Sequence, residues 1–192
     1  MSVDSYGLSV NADTDHDSDG IVDIIETDVS LFAVVDAPDC SQERGSVREL
    51  FAKVAETINS SDDIEASLFD NGISELLSSD EAGYGRGVAA LCLKKDTAYC
   101  FCNANTRLYH IHKNEIKPPD PDRPGVYSVK AVPADGFLMC SKILAEYLME
   151  NEILIDYLKA DNAKTWLTLL LLRAMERLPQ EQVNLSVIAV LV

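Results

Sequence analysis

The chain has 192 residues, 47% hydrophobic and 25% charged, with a net charge of −16. That length and apolar share predict one globular domain over 1–192 with a full core, and no run of 18 uncharged apolar residues is present to span a membrane. So negative a chain repels nucleic acid and anionic membranes, which excludes both as expected partners and favours a protein partner with a basic surface.

The first residues, MSVDSYGLSV, lack a basic stretch leading into an apolar core, so no secretory leader is expected. Five cysteines without a dense framework predict reduced thiols and a cytoplasmic location. Residues 1 to 43 carry eleven acidic side chains and no Lys or Arg. Within that block, DTDHDSDGIVDIIE matches the calcium-loop pattern: Asp15, Asp17 and Asp19 alternate, Gly20 turns the chain, Asp23 follows, and Glu26 closes the loop. Calcium binding through Asp15–Glu26 as a regulatory module is therefore one reading. Against it, no apolar helical face precedes Asp15, and the β-branched IVDIIE (21–26) predicts a strand where a calcium hand needs a helix. An acidic surface loop is the plainer alternative.

VSLFAVVD (29–36) completes a hairpin with IVDIIE across Thr27-Asp28. SVRELFAKVAETINS (46–60) puts Val47, Leu50, Phe51, Val54, Ala55 and Ile58 on one helical face, with Ser46 as the expected N-cap. DIEASLFDNGISELLSS is a second helix, with Asn71-Gly72 as a place for a bend or split. GYGRG (83–87) reads as a turn, since no Lys-Ser/Thr follows to make a phosphate loop. Strands VAALCLKK, TAYCFCN and TRLYHIHK come next, then a Pro-rich loop (117–125), and strands YSVKAV and GFLMCS. NEILIDYLKA and AKTWLTLLLLRAMERL are helical, and VNLSVIAVLV is a buried strand. Paired helices inserted between antiparallel strands predict an α+β fold: an antiparallel β-sandwich flanked by helix pairs.

Cys100, Cys102, His110 and His112 are candidate zinc ligands, because period two puts each pair on one strand face and a short hairpin would join the strands. Buried strand cysteines are the plainer reading. Cys40 and Cys140 have no obvious base nearby, and no nucleophile-elbow motif is present.

Five segments in order resemble the metal-dependent serine/threonine phosphatases of type 2C: LFAVVDA (31–37), GRGVAALCL (85–93), CNANTRLYHI (102–111), GFLMCSKILAEYL (136–148) and VNLSVIAVLV (183–192). The resemblance implies an α-β-β-α sandwich and, in an active member, two Mn or Mg ions held by carboxylates from several strands. It also implies where those ligands would sit. Asp36 is in place, Ala37 stands for a carbonyl-donating glycine, and Asp17 lies near the family's acidic pair. Lys142 and Val183 stand where the other two aspartates belong, Val183 leaving Asn184 alone, and the Gly-Asp-Ser-Arg turn is shortened to Asn105-Thr106-Arg107. The first cation in the chain is Arg44, so the upstream phosphate-holding arginine is missing. One carboxylate facing an ammonium does not retain two dications. The resemblance thus implies a pseudophosphatase with no resident cofactor, acting by protein binding. An active phosphatase with an altered metal set drawn from Asp13, Asp15, Asp17, Asp19 and Asp36 is the alternative. Lys142 either pairs with Asp36 in the metals' stead or points to solvent.

Overall fold

A computed structural model of the chain describes residues 2–10, 21–25, 28–36, 44–60, 66–78, 87–103, 105–117, 125–178 and 185–192. Two antiparallel sheets of five strands lie face to face. One sheet runs β1 (Asp4–Val10), β10 (Leu185–Leu191), β9 (Gly136–Ser141), β6 (Thr106–His112) and β7 (Glu115–Lys117). The other runs β2 (Ile21–Ile25), β3 (Val29–Asp36), β4 (Gly87–Lys94), β5 (Thr97–Cys102) and β8 (Tyr127–Lys130).

Strand side chains alternate between faces, so a strand buried on both sides reads as an unbroken apolar run. β4, GVAALCLK, is buried at every position, and β9, GFLMCS, likewise. Their even and odd residues serve different layers. Phe32, Val34, Leu91 and Cys100 meet Leu108, Phe137, Met139 and Ile188 between the sheets. On one outer face Leu31, Ala33, Ala90 and Cys92 pack under Phe51, Ala55, Ile58, Phe69 and Ile73 of helices α1 (Arg44–Asn59) and α2 (Ala66–Ser78). On the other, Ile111, Leu138, Cys140 and Val187 pack under α3 (Lys142–Tyr147), α4 (Glu150–Lys159) and α5 (Ala163–Met175), with Trp166 at the centre. The layers are α-β-β-α, as the alternation predicts. Each fully buried Leu, Ile or Phe contributes about 1.5–3 kcal/mol to holding them together.

Polar ties fix the layers. Buried Lys94 donates from Nζ to the Ile58 carbonyl at 2.7 Å, placing a cation at the C-terminal end of α1. α5 starts on Asn162, whose side chain accepts from the Thr165 amide at 2.8 Å, while the Ala163 amide donates to Asp4 of β1 at 2.7 Å.

Several expectations need correction. β1 was not assigned from sequence, yet all seven of its residues pair with β10. β7 and α3 were also missed, each too short to show a period. α1 starts at Arg44, which puts Ser46 inside the helix rather than at its cap. α2 runs unbroken through Asn71-Gly72. Gly72 is buried there because a Cβ would strike the Val54 side chain of α1, so the glycine allows close helix approach rather than a bend.

Candidate functional site

Of the positions that the family resemblance singles out, Asp36, Asn105, Thr106 and Lys142 fall among the described residues, and their backbones gather at one end of the sandwich. Asp36 is the last residue of β3 and pairs with Gly87, the first of β4. β5 ends at Cys102, and the chain then crosses from one sheet to the other through a corner built on Asn103. The Asn103 side chain accepts from the Val88 amide at 3.1 Å, and its carbonyl accepts from the Thr106 amide at 3.1 Å. Gly87 lies against this corner: a Cβ there would sit 3.0 Å from both Cβ and the carbonyl oxygen of Asn105. Thr106 in turn pairs with Ser141, the end of β9, and the Lys142 amide donates to the Asn105 carbonyl at 3.0 Å. The Ser186 amide donates to Ser141 Oγ at 3.5 Å, which brings in the start of β10 just after Val183 and Asn184. Four separate chain segments thus meet at one pole.

Among the described side chains there, Asn103, Asn105, Thr106 and Ser141 are neutral. Lys142 opens α3 and is exposed. Its proposed pairing with Asp36 involves a carboxylate outside the described residues, as are Ala37, Val183 and Asn184. Asp15, Asp17, Asp19 and Glu26 of the calcium-loop reading also lie outside them; Asp23 falls within β2, with its side chain not described. Ile21–Ile25 is a strand paired with β3 from Ile21↔Val34 to Ile25↔Ser30, so no helix leaves that segment.

A second cluster occupies the other end of β9, and sequence reasoning assembled it wrongly. β5 and β6 are not a hairpin but belong to different sheets. Cys100 and Cys102 are therefore buried between the sheets in the apolar layer and do not join the histidines. Burial raises the Cys100 thiol, which keeps it protonated. His110 and His112 instead converge on Asp135, the residue before β9. His110 Nε2 lies 3.2 Å from Asp135 Oδ2, and His112 Nδ1 lies 2.8 Å from Oδ1. Asp135 is 1% exposed, and its Oδ2 also accepts from the Val132 amide at 3.1 Å. The His110 ring stacks flat on Phe137, centroids 4.5 Å apart. Burial holds the His110 imidazole below its ordinary pKa, and the hydrogen bond and charge of Asp135 pull the other way. One ligand-capable atom from each of the three residues lies within 4.8 Å of the others. The i, i+2 spacing of the histidines was readable; Asp135, 23 residues past His112, gave no local signal.

No protein-family model matches the sequence. No curated protein matches it either. Solved structures do. The serine/threonine phosphatase of S. agalactiae superposes with a TM-score of 0.72, covering 100% of both chains at 11% identity. The chain has the type 2C phosphatase fold. The catalytic domain of the phosphatase PstP in complex with two manganese ions gives 0.68 at 12% identity, over 98% of this chain and 97% of that one. RsbX in complex with magnesium gives 0.69 at 11% identity, over 98% and 94%. At such identities the likeness speaks for the type 2C fold alone.

Proposed function

We propose that this chain is a single type 2C phosphatase-like domain without phosphatase activity, a pseudophosphatase that acts by binding another protein. The observation that carries the reading is the pole where Asp36, Asn105, Ser141 and Lys142 meet. In the resemblance, Lys142 stands where a metal-binding aspartate belongs. Its amide donates to the Asn105 carbonyl at 3.0 Å, and its side chain is exposed. Hard dications need several anionic oxygens, and a lysine there adds repulsion. PstP is described with two manganese ions and RsbX with magnesium. In the resemblance the carboxylate ligands are reduced to Asp36, with Lys142 in the place of another, and that set does not fit a pair of such ions.

Binding a partner is supported by two surface features. The chain is strongly acidic, with residues 1 to 43 wholly lacking Lys and Arg, which favours encounter with a basic protein surface. The outer helix layer also leaves Leu158, Leu172 and Met175 more than half exposed, apolar area available to a partner. Reduced, buried thiols at Cys92, Cys100, Cys102 and Cys140 are in keeping with a cytoplasmic setting. No helix of the described residues is long and apolar enough to cross a membrane.

The purified chain, assayed on a phosphate-ester chromogen with excess manganese, is expected to show no turnover above buffer. Robust hydrolysis lost on Asp36→Asn would overturn the reading in favour of an altered but working centre.

A further inference from the structure

We propose that His110, His112 and Asp135 bind one transition-metal dication of the zinc class, at the end of the sandwich opposite the pole that holds Asp36. β9 separates the two places: Asp135 precedes its first residue and Lys142 follows its last. Thr106 and His110 are four residues apart on β6, roughly 13 Å at a strand's rise per residue. Its donors also differ in kind. Two imidazoles and a carboxylate suit zinc, cobalt or nickel, whereas magnesium and manganese prefer oxygen throughout.

Ligand atoms about 2.0–2.1 Å from a tetrahedral zinc ion stand about 3.3–3.5 Å apart. His110 Nε2 and His112 Nδ1 approach different oxygens of Asp135, at 3.2 and 2.8 Å, and one ligand atom from each of the three residues lies within 4.8 Å of the others, so side-chain shifts of up to about 1.5 Å let the three share one ion. The frame is fixed. The Asp135 amide donates to the Val132 carbonyl and its carbonyl accepts from the Val192 amide, both at 3.0 Å, so backbone bonds hold the carboxylate from two sides. The Val132 amide on Oδ2 orients one carboxylate oxygen, and the Phe137 face orients the His110 ring. A buried carboxylate needs positive charge nearby. A dication would supply it. The exposed neighbours on β7 largely offset each other, since Lys117 pairs with His110 and Glu115 with His112. His112 is 21% exposed and gives the ion an entry, and three protein ligands leave one position for an exchangeable fourth.

The competing account is a purely structural triad, in which each imidazole N–H donates to Asp135 and no ion ever binds. Calorimetric titration of the metal-stripped full chain with zinc separates the two, with cobalt absorption as a second readout. Binding of one zinc per chain, with Kd on the order of 1 μM or tighter, is expected. It should weaken at least about tenfold in His112→Ala, survive excess magnesium, and come with the visible bands of tetrahedral cobalt. His112 is part-exposed, so this variant should keep its fold, checked by circular dichroism; Asp135→Asn serves as a second variant if it folds. Absence of binding would overturn the proposal. So would zinc binding unchanged in His112→Ala, which would place the ion elsewhere.

Discussion

Burial pushes the Cys92 and Cys140 thiols up to about 12, desolvation outweighing the nearby Lys94 and Arg107 charges that pull them down. A raised folded value means that the neutral thiol is what the fold accommodates. Its contribution to stability is complete below the unfolded value of about 9 and is lost as pH climbs from there toward 12. The melting temperature is therefore expected to stay level between about pH 7 and 8.5 and to fall above about pH 9. Alkylation of the native chain at pH 8 should reach at most one of its five cysteines, Cys40, because the other four are buried. Labelling of two or more without unfolding would contradict the layered core. At this scale sequence was a partial guide. Lys142 was legible because a lysine in an otherwise matching stretch stands out. The histidine pair was legible as a pair, but its partner was not: chain connectivity suggested a hairpin between β5 and β6, and the inter-sheet crossing at Asn103 redirected both histidines to Asp135.

The elements most easily read from sequence are those buried on both faces or along a full helical stripe. β4, β9, β10, α1 and α5 all fall in this group. β1 escaped because Asp4, Ser5, Gly7 and Ser9 have little intrinsic strand preference and none of its described side chains is fully buried, so it carries no strong apolar run. Pairing with β10 makes it a strand, and Asp4 then gains a task for another element by accepting from the first amide of α5. Asp4→Ala should cost about 1 kcal/mol, as loss of a helix-capping carboxylate does, seen as a lower denaturant midpoint with unchanged slope. The lone tryptophan, Trp166, sits in this helix with its ring nitrogen donating to the Ile153 carbonyl at 3.3 Å, so its fluorescence reports the loss directly. An Asp4→Ala variant as stable as the parent would mean that the cap is not formed.

For the whole molecule, five scattered sequence segments and the α-β-β-α layering led to the same architecture, and the superposition on solved type 2C structures along nearly the full chain agrees with both. The fold was legible because burial on two faces leaves a strong mark on a strand. Function was less so, because the reading proposed for it turns on a handful of positions, several of them outside the described residues. The central claim is the proposal that this pole, where Lys142 stands in the place of a metal-binding aspartate in the family resemblance, does not retain twin dications. Anomalous diffraction from crystals grown with manganese tests it most directly, since it locates each bound ion. The account predicts no manganese peaks beside Asp36. Two peaks about 3.5–4 Å apart at that carboxylate, the spacing of a working two-metal centre, would contradict it.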